Sequence, residues 1–456
     1  MADTLCDDRP LAFEDLVGWF AEGSKPASDF KVGAEHEKFV FRVGSHAPVP
    51  YEGEAGIKAL LEGLMRFGWK GTWESGPLGE TLIGLNRGMA NISLEPGGQF
   101  ELSGAPLDSM HDICEETGQH LEEVKAVAGE LGLGFLGLGF TPLWTREQVP
   151  VMPKGRYKIM RQYMPKVGNL GLDMMFRTCT VQANLDFASE ADMVEKFRVS
   201  LALQPVVTAL FANSPFTEGK PNGFLSARAN VWTDTDADRT GMLDFVFDDG
   251  FGFARYAEWA LDVPMYFVKR DGRYIDVAGR SFRDFMAGNL REAPGERANL
   301  KDWADHTTTL FPEVRLKQYL EMRGADAGPW TRLCGLPALW AGLLYDPPSQ
   351  AAAWDLCKHW TAEERAALRA DAAKLGLKAT IAGRTLQDVT KDMLAIAHQG
   401  LKNRNRLSAG MVDETNYLGE LEDIADSGVT AAERLLELYH GPWHGDVGPV
   451  FESFAY

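Results

Sequence analysis

The sequence is organised around the segment Ile92-Ser-Leu-Glu-Pro-Gly-Gly-Gln-Phe-Glu-Leu-Ser103. Successive side chains of an extended strand point to opposite faces, so every second residue shares a face. One face carries Glu95 and Glu101 together with other hydrogen-bond acceptors, whereas the opposite face is apolar, with Ile92, Leu94, Phe100 and Leu102. The Gly97-Gly98 pair allows a bend between the two halves. The pattern predicts a strand that packs on a core and presents two carboxylates on its other side.

The same design occurs in the segment Val32–Arg42, where Glu35 and Glu37 are two residues apart. In a strand these two carboxylates point the same way and repel each other. A bound cation would remove the conflict, and ligands that are all oxygens suit Mg²⁺ or Mn²⁺ rather than zinc. A solvated strand face is the alternative for either segment taken alone. Two such strands in one chain favour the cation site.

The composition limits the classes of partner. The chain has 456 residues and a formal net charge of −19. This charge argues against a nucleic-acid backbone or an anionic membrane as partner. ATP remains compatible, because arginines and metal ions act on it locally. The sequence also lacks the run of about 18 apolar residues that a membrane-spanning helix needs.

No linker interrupts the sequence, so we expect a single catalytic domain over 1–456, with the sheet and active site in 1–348 and a helical part in 349–456. The acidic N-terminal segment resembles neither a secretory signal nor a transit peptide, which favours a cytoplasmic location. The cysteines are odd in number, widely spaced and without a CxxC motif, so they predict a reduced chain with buried thiols. They are Cys6, Cys114, Cys179, Cys334 and Cys357.

Three further segments also alternate polar and apolar residues and are predicted to be strands, namely Thr178–Phe187, Phe224–Trp232 and Glu313–Arg323. Helical segments and hairpins separate them, which is typical of an α+β fold with a largely antiparallel sheet covered by helices on one side. The basic segment from Lys154 to Lys166 is interpreted as a solvated loop and helix. The polar strand faces carry Gln182, Asn184, Arg228, Arg315, Lys317, Glu321 and Arg323.

Acids beside bases on one sheet face indicate metal-assisted phosphoryl transfer. Carboxylates hold the cation, and arginines neutralise charge on the transferring group. The sequence lacks the GxxxxGK[ST] loop, so it does not predict a P-loop enzyme. It also lacks the GxSxG and HExxH motifs of two large classes of hydrolase.

Long strings of the sequence resemble one family. They include Gly33-Ala-Glu-His-Glu-Lys-Phe, Met152-Pro-Lys-Gly-Arg-Tyr, Phe311-Pro-Glu-Val-Arg-Leu-Lys and Glu321-Met-Arg-Gly-Ala-Asp326, besides the segment 92–103. Across almost its whole length the chain resembles the glutamate–cysteine ligases shared by plants and some bacteria. The resemblance implies a glutamine-synthetase-like carboxylate–amine ligase fold, in which an antiparallel sheet forms a funnel around the active site.

The resemblance also implies a reaction and a set of site residues. The glutamate γ-carboxylate would attack ATP to give γ-glutamyl phosphate, and the cysteine amine would then displace phosphate, which is the first step of glutathione synthesis. Arg228 and Arg323 would be catalytic, with Arg228 on the transferring phosphoryl. Substrate or nucleotide would be bound by Gln182, Asn184, Arg315 and Lys317. The Mg²⁺ ligands would be Glu35, Glu37, Glu95, Glu101 and Glu321.

The chain departs from the plant members in its cysteines. The region between Leu290 and Thr307 lacks the cysteine pair that forms a regulatory disulfide in plants. Cys179 matches a plant position tied to a second bridge, yet no cysteine follows Cys357 to pair with it. We therefore predict that the plant thiol switch is missing. Feedback inhibition by glutathione is a family expectation, and a monomer or a homodimer is expected.

Two other functions stay open at this point. A related ligase could use a different amine acceptor, because an acceptor pocket would be spread over several strands. A metal-dependent hydrolase could use the paired acids to activate water. The hydrolase would not need ATP, so ATP dependence separates the two classes.

Overall fold

The computed structural model describes residues 9–76 and 79–456. The strands of the described residues are β1 (Val32–Arg42), β2 (Lys70–Gly76), β3 (Gly79–Arg87), β4 (Ala90–Leu94), β5 (Phe100–Ser103), β6 (Leu133–Leu136), β7 (Thr180–Leu185), β8 (Phe216–Thr217), β9 (Lys220–Pro221), β10 (Thr240–Gly241), β11 (Phe267–Arg270), β12 (Arg273–Asp276), β13 (Phe311–Pro312), β14 (Val314–Leu316), β15 (Leu320–Asp326), β16 (Thr380–Ile381) and β17 (Arg384–Thr385). The centre of the fold is a sheet in which β14, β15, β7, β1, β5, β4, β3 and β2 lie side by side, with β6 also paired to β1.

The helices surround this sheet. They are α1 (Phe13–Ala21), α2 (Ile57–Leu64), α3 (Met110–Leu131), α4 (Gly155–Tyr163), α5 (Gly171–Arg177), α6 (Glu190–Leu210), α7 (Ala227–Val231), α8 (Phe253–Asp262), α9 (Phe282–Ala287), α10 (Leu300–Thr307), α11 (Trp330–Leu344), α12 (Pro347–Cys357), α13 (Ala362–Leu375), α14 (Leu386–Arg404), α15 (Gly419–Ser427), α16 (Ala431–His440) and α17 (Val450–Ser453). None of these helices is both long enough and apolar enough to cross a membrane.

The sheet is antiparallel at every pairing of the central strands, and its apolar face is covered by helices. α6 packs on β15, α11 packs on β7 and β1, and α3 packs on β1 and β6. The apolar residues of the segment 92–103 are buried as their parity predicts, with Leu94 and Phe100 fully inaccessible. The predicted α+β architecture is therefore confirmed, with β1 at the middle of the sheet.

The register of the sheet aligns the predicted polar residues in rows. Glu37 lies opposite Glu101 of β5, and Glu35 lies opposite Gln182 of β7. One row further along, Asn184 lies opposite Glu321 of β15. Residues directly opposite in neighbouring strands share a face. The register thus brings residues from four distant parts of the sequence to one surface.

Three predicted strands differ from the structure. The segment 92–103 is not one bent strand but β4 and β5 joined by a turn, in which Gly98 has a positive φ of 85°. The segment Glu313–Arg323 is a hairpin, β14 and β15, closed by the Lys317 N–H donating to the Tyr319 carbonyl. The segment Phe224–Trp232 contains the helix α7, because Ser226 caps its N-terminus by accepting from the Ala229 N–H. A two-residue period cannot detect such a local cap.

The C-terminal part is mainly helical but is tied to the sheet. The Tyr456 N–H donates to the Phe135 carbonyl of β6 at 3.0 Å. The largest hydrophobic core includes residues from Leu16 to Phe451. The division of a single domain at residue 348 stays a prediction.

The expectation of thiols throughout is wrong, because Cys114 and Cys334 form a disulfide between α3 and α11. Their Cα atoms are 5.6 Å apart, although 220 residues separate them in sequence. Only the packing of α3 on α11 brings them together, so their spacing in the sequence contained no signal. Cys179 and Cys357 are buried and unpaired, and Cys6 lies outside the described residues.

Candidate active site

Four carboxylates occupy neighbouring positions at the centre of the polar sheet face, and we call Glu35, Glu37, Glu95 and Glu101 the acidic cluster. Glu35 and Glu37 project from β1, Glu101 projects from β5, and Glu95 lies in the turn before it. The Ser93 hydroxyl donates to Glu101 at 2.7 Å, and the Thr180 N–H donates to Glu37 at 3.0 Å. The donors to the cluster are therefore uncharged hydroxyl, amide and backbone groups, and no arginine or lysine hydrogen bond to these four carboxylates is seen among the described residues.

The acidic cluster is electrostatically strained. Burial, then repulsion from Glu321 and Glu101, raises the pKa of Glu35 to about 7. Burial, followed by the charges of Glu95 and Glu101, raises the pKa of Glu37 well above its ordinary value. Like charges this close disfavour ionisation of each other unless a cation is present. The nearby cations therefore do not offset the burial and mutual repulsion of the carboxylates in the acidic cluster.

Glu321 differs from the other acids, because three cations surround it. Its Oε2 accepts from Arg315 Nε at 2.6 Å and from Arg323 Nη1 at 2.7 Å, and its Oε1 lies 3.3 Å from Lys317 Nζ. Burial alone would raise the pKa of Glu321, but these three cations hold it far below its ordinary range. We call Glu321, Arg315, Lys317 and Arg323 the Glu321 clamp. Its carboxylate oxygens are already used, which fits poorly with the expected role as a Mg²⁺ ligand.

The two amides predicted on β7 join the acidic cluster to the Glu321 clamp. Asn184 Nδ2 donates to Glu35 at 2.8 Å, and its buried Oδ1 has no partner among the described residues. Gln182 Oε1 accepts from Arg323 Nη1 at 2.7 Å. Each amide thus fixes one charged neighbour, so the structure places both within the site.

Arg228 and Arg323 line a narrow cavity of about 70 Å³ beside the acidic cluster. Glu37 and Glu95 also line it. Arg228 Nη2 donates to the Arg323 carbonyl at 2.7 Å, which holds the guanidinium at the cavity. The pKa of Arg228 is lowered by burial, although Asp326 and Glu37 oppose this effect. A guanidinium in such a place is suited to a phosphoryl or carboxylate group.

The structure adds residues that the sequence interpretation missed. Arg156, Tyr157, Trp232 and Phe311 also line the cavity. The basic segment is therefore not simply solvated, because α4 turns Arg156 inward while Lys158 on its other side is exposed. Arg156 Nε and Trp232 Nε1 are buried donors without a partner among the described residues. The sequence shows Arg156 and Tyr157 within the basic segment. Only the orientation of α4 separates these two residues, which face the cavity, from their solvated neighbours.

The acidic cluster suits a hard cation. Its possible ligand atoms are all oxygens, and nearby cations do not offset the repulsion between its carboxylates. Within 9–76 and 79–456, however, no group of three or more His, Cys, Asp or Glu side chains stands in an arrangement ready to hold a metal ion. The fit therefore rests on the chemistry and electrostatics of Glu35, Glu37, Glu95 and Glu101, and not on a preformed coordination sphere.

A known protein family matches the part of the chain that forms this site. The model of glutamate–cysteine ligase family 2 matches residues 31–453, which include every residue of the acidic cluster and the Glu321 clamp. The chain belongs to this family. The membership confirms the resemblance and the prediction of an ATP-dependent ligase that joins glutamate to cysteine, the first step of glutathione synthesis.

Curated members of the family are similar to the chain over nearly its full length. The chloroplastic glutamate–cysteine ligase of Nicotiana tabacum is 56% identical over 455 residues, covering 100% of this chain and 85% of the relative. The chloroplastic enzyme of Arabidopsis thaliana is 56% identical over 449 residues, covering 98% and 84%. The expected cytoplasmic location is wrong by this finding, because these relatives are plastid enzymes. An acidic N-terminal composition does not decide a compartment.

A solved structure supports the fold of the family. The glutamate–cysteine ligase of Francisella tularensis, determined in complex with AMP, aligns with a TM-score of 0.54 at 12% identity, covering 93% of this chain and 87% of that one. The likeness confirms the predicted glutamine-synthetase-like ligase fold. The family membership also agrees with ATP, glutamate and cysteine as small-molecule substrates.

Proposed function

We propose that the cavity between the acidic cluster and Arg228 is where this family member makes γ-glutamylcysteine. The observation that carries the proposal is that carboxylates whose pKa is raised by burial and mutual repulsion lie in and beside one cavity whose lining also includes the Arg228 and Arg323 guanidinium groups. Phosphoryl transfer from ATP needs both kinds of group, since the enzyme contributes mainly positioning and charge neutralisation. A structural core would not maintain such separated charges.

The proposed reaction has two steps. An oxygen of the glutamate γ-carboxylate attacks the γ-phosphorus of ATP, the bond to the bridging oxygen breaks, and ADP leaves. The product is γ-glutamyl phosphate. The cysteine amine then attacks the γ-carbonyl carbon, the bond to the phosphate oxygen breaks, and inorganic phosphate leaves as the amine loses a proton. One ATP is consumed for each amide formed.

The side chains have distinct roles in this proposal. Arg228 neutralises charge on the transferring phosphoryl, and Arg323 holds the same group from the side of the Glu321 clamp. Arg315 and Lys317 keep Glu321 ionised, so that Glu321 fixes the position of Arg323. Arg156 and Trp232 supply unpaired donors for the carboxylates of the two amino-acid substrates.

Mg²⁺ is the proposed cofactor, and Mn²⁺ would serve as its substitute. Glu35, Glu37, Glu95 and Glu101 would hold it, with Gln182 and Asn184 beside them. When bound, the ion would neutralise phosphate charge on ATP. Glu321 is left out of the proposed ligand set, because its oxygens accept from three cations instead. Glutathione feedback and a monomeric or homodimeric state stay predictions.

The test is an assay of the reduced, purified protein with Mg²⁺, ATP and glutamate, with and without cysteine. Phosphate release and product mass are measured together. Phosphate release that depends on cysteine, with γ-glutamylcysteine as product, supports the proposal. Release with another amine but not with cysteine would support the related ligase. Turnover that ignores ATP would support the hydrolase.

A further inference from the structure

Asp326 is a buried carboxylate behind the active site that the proposed reaction does not use. It ends β15 and is 1% exposed. Its Oδ2 accepts from the Ser214 hydroxyl at 2.7 Å and from the Asn213 N–H at 2.8 Å. Its Oδ1 accepts from the Ser226 hydroxyl at 2.8 Å. Three donors from two segments therefore converge on one carboxylate.

Both of these segments make hydrogen bonds to the first turn of α7, which contains Arg228. Ser226 caps α7 by accepting from the Ala229 N–H at 3.1 Å, and Arg228 is the second residue of that helix. The Arg228 N–H donates to the Ser214 hydroxyl at 3.3 Å. A helix of five residues is unstable by itself, because its first turn costs more entropy than its few hydrogen bonds recover. The position of α7 therefore depends on what fixes its first turn.

The same strand also fixes the other end of the Arg228 side chain. The pairing of β15 with β7 is irregular between Met322 and Ala325, and the Arg323 carbonyl accepts from Arg228 Nη2 at 2.7 Å. The strand β15 thus holds Arg228 at two points. Asp326 fixes the helix α7, which contains Arg228, and the Arg323 carbonyl fixes the Arg228 guanidinium. Among the charges that oppose the effect of burial on the Arg228 pKa, that of Asp326 contributes most.

We infer that Asp326 is a positioning residue for the proposed phosphoryl transfer: it fixes the first turn of α7 so that the Arg228 guanidinium reaches the cavity. The inference rests on the proposed role of Arg228. The Asp326 side chain does not itself line the cavity; it acts on Arg228 through Ser214, Ser226 and the first turn of α7, and through its charge. A small displacement of a charge-neutralising group is costly, because about 1 Å can reduce a rate by roughly 10²-fold.

The test is a double-mutant cycle with Asp326→Asn and Arg228→Ala. In Asp326→Asn the amide oxygen can still accept from Ser226, but the amide nitrogen cannot accept from Ser214 or Asn213. We expect kcat to fall by about 10- to 100-fold while the KM values for ATP and glutamate change little. In the Arg228→Ala background the same substitution should have almost no further effect on kcat, because the group that it positions is gone.

The outcomes separate the inference from the proposed function. If Arg228→Ala retains wild-type kcat, the proposed role of Arg228 fails. If Arg228→Ala is impaired but Asp326→Asn lowers kcat equally in both backgrounds, Asp326 is only structural and the inference is overturned. If Asp326→Asn does not fold, Ser226→Ala replaces it in the cycle, with Ser200→Ala as matched control. Ser200 is also a fully buried serine, but its hydroxyl donates to the Lys196 carbonyl within α6.

Discussion

The acidic cluster and the Glu321 clamp lie on the same sheet face, yet their carboxylates have opposite electrostatic environments. Repulsion and burial raise the pKa of Glu37, whereas three cations lower that of Glu321. The nearby cations do not offset burial and repulsion in the first region, whereas in the second the Glu321 carboxylate is paired with three cations. Residue type and strand face therefore do not define the role of an acid, because the neighbouring strand decides which charges surround it.

The largest expected effect lies at the Glu321 clamp. Arg323→Ala removes a charge that faces the transferring group, and we expect kcat to fall by about 10³-fold or more. Arg323→Lys keeps the charge but lacks the second nitrogen of the guanidinium fork, while Nη1 alone makes the hydrogen bonds to Glu321 and Gln182, so its loss should be intermediate. Steady-state kinetics measure both variants. Arg384→Ala, which breaks an exposed ion pair, is the control, and near-normal kcat in Arg323→Ala would remove Arg323 from catalysis.

In the acidic cluster, Glu37→Gln removes one proposed ligand charge without a change of shape. We expect kcat to fall by about 10²- to 10³-fold and the Mg²⁺ concentration for half-maximal rate to rise. A titration of rate against Mg²⁺ measures both quantities. The matched variant Glu130→Gln loses an exposed ion pair with Arg66 and should behave like the wild type. An unchanged Mg²⁺ requirement in Glu37→Gln would place the metal elsewhere.

The two regions should also respond oppositely in stability. In the metal-free protein, Glu37→Gln relieves repulsion and should raise the unfolding temperature. Glu321→Gln leaves three buried cations short of their partner, and it should lower the free energy of unfolding by about 3 to 5 kcal/mol. Calorimetry without and with Mg²⁺ compares them. Two shifts of the same sign would contradict the distinction between the acidic cluster and the Glu321 clamp.

Magnesium binding should connect these stability effects to the site. A cation at 100 times its Kd stabilises the folded protein by about 2.7 kcal/mol. We expect Mg²⁺ to raise the unfolding temperature of the wild type and of Glu321→Gln, but much less that of Glu101→Gln. Equal Mg²⁺ shifts in all three proteins would show that the acidic cluster is not the cation site.

The smallest effect on activity is expected from the disulfide, which lies in α3 and α11 outside both regions. Reduction, or Cys114→Ser, should cost about 2 to 4 kcal/mol of stability. Activity well below the unfolding temperature should be unchanged. Assays under reducing and non-reducing conditions test this together with the predicted absence of the plant thiol switch. A large loss on reduction of the wild type that Cys114→Ser does not share would reveal another redox-sensitive cysteine.

Much of the site could be predicted from local patterns. The alternation in Val32–Arg42 correctly predicted a strand with Glu35 and Glu37 on one face, because the two-residue period is a property of the extended backbone. The same argument placed Gln182 and Asn184 together on β7. The same argument wrongly predicted a strand around Arg228. Polar and apolar residues also alternate in the short segment that forms α7, the five-residue helix capped by Ser226.

Local patterns in the sequence were therefore enough to predict the polar and apolar faces of the strands, the α+β class and the family. The folded chain was needed to show that Glu321 lies among Arg315, Lys317 and Arg323, that Arg156 faces the cavity, and that Cys114 meets Cys334. These outcomes depend on strand register, helix phase and helix packing between residues far apart in the chain. The physical reason is that periodicity is local, whereas the charge that each buried group experiences is set by neighbours from other elements.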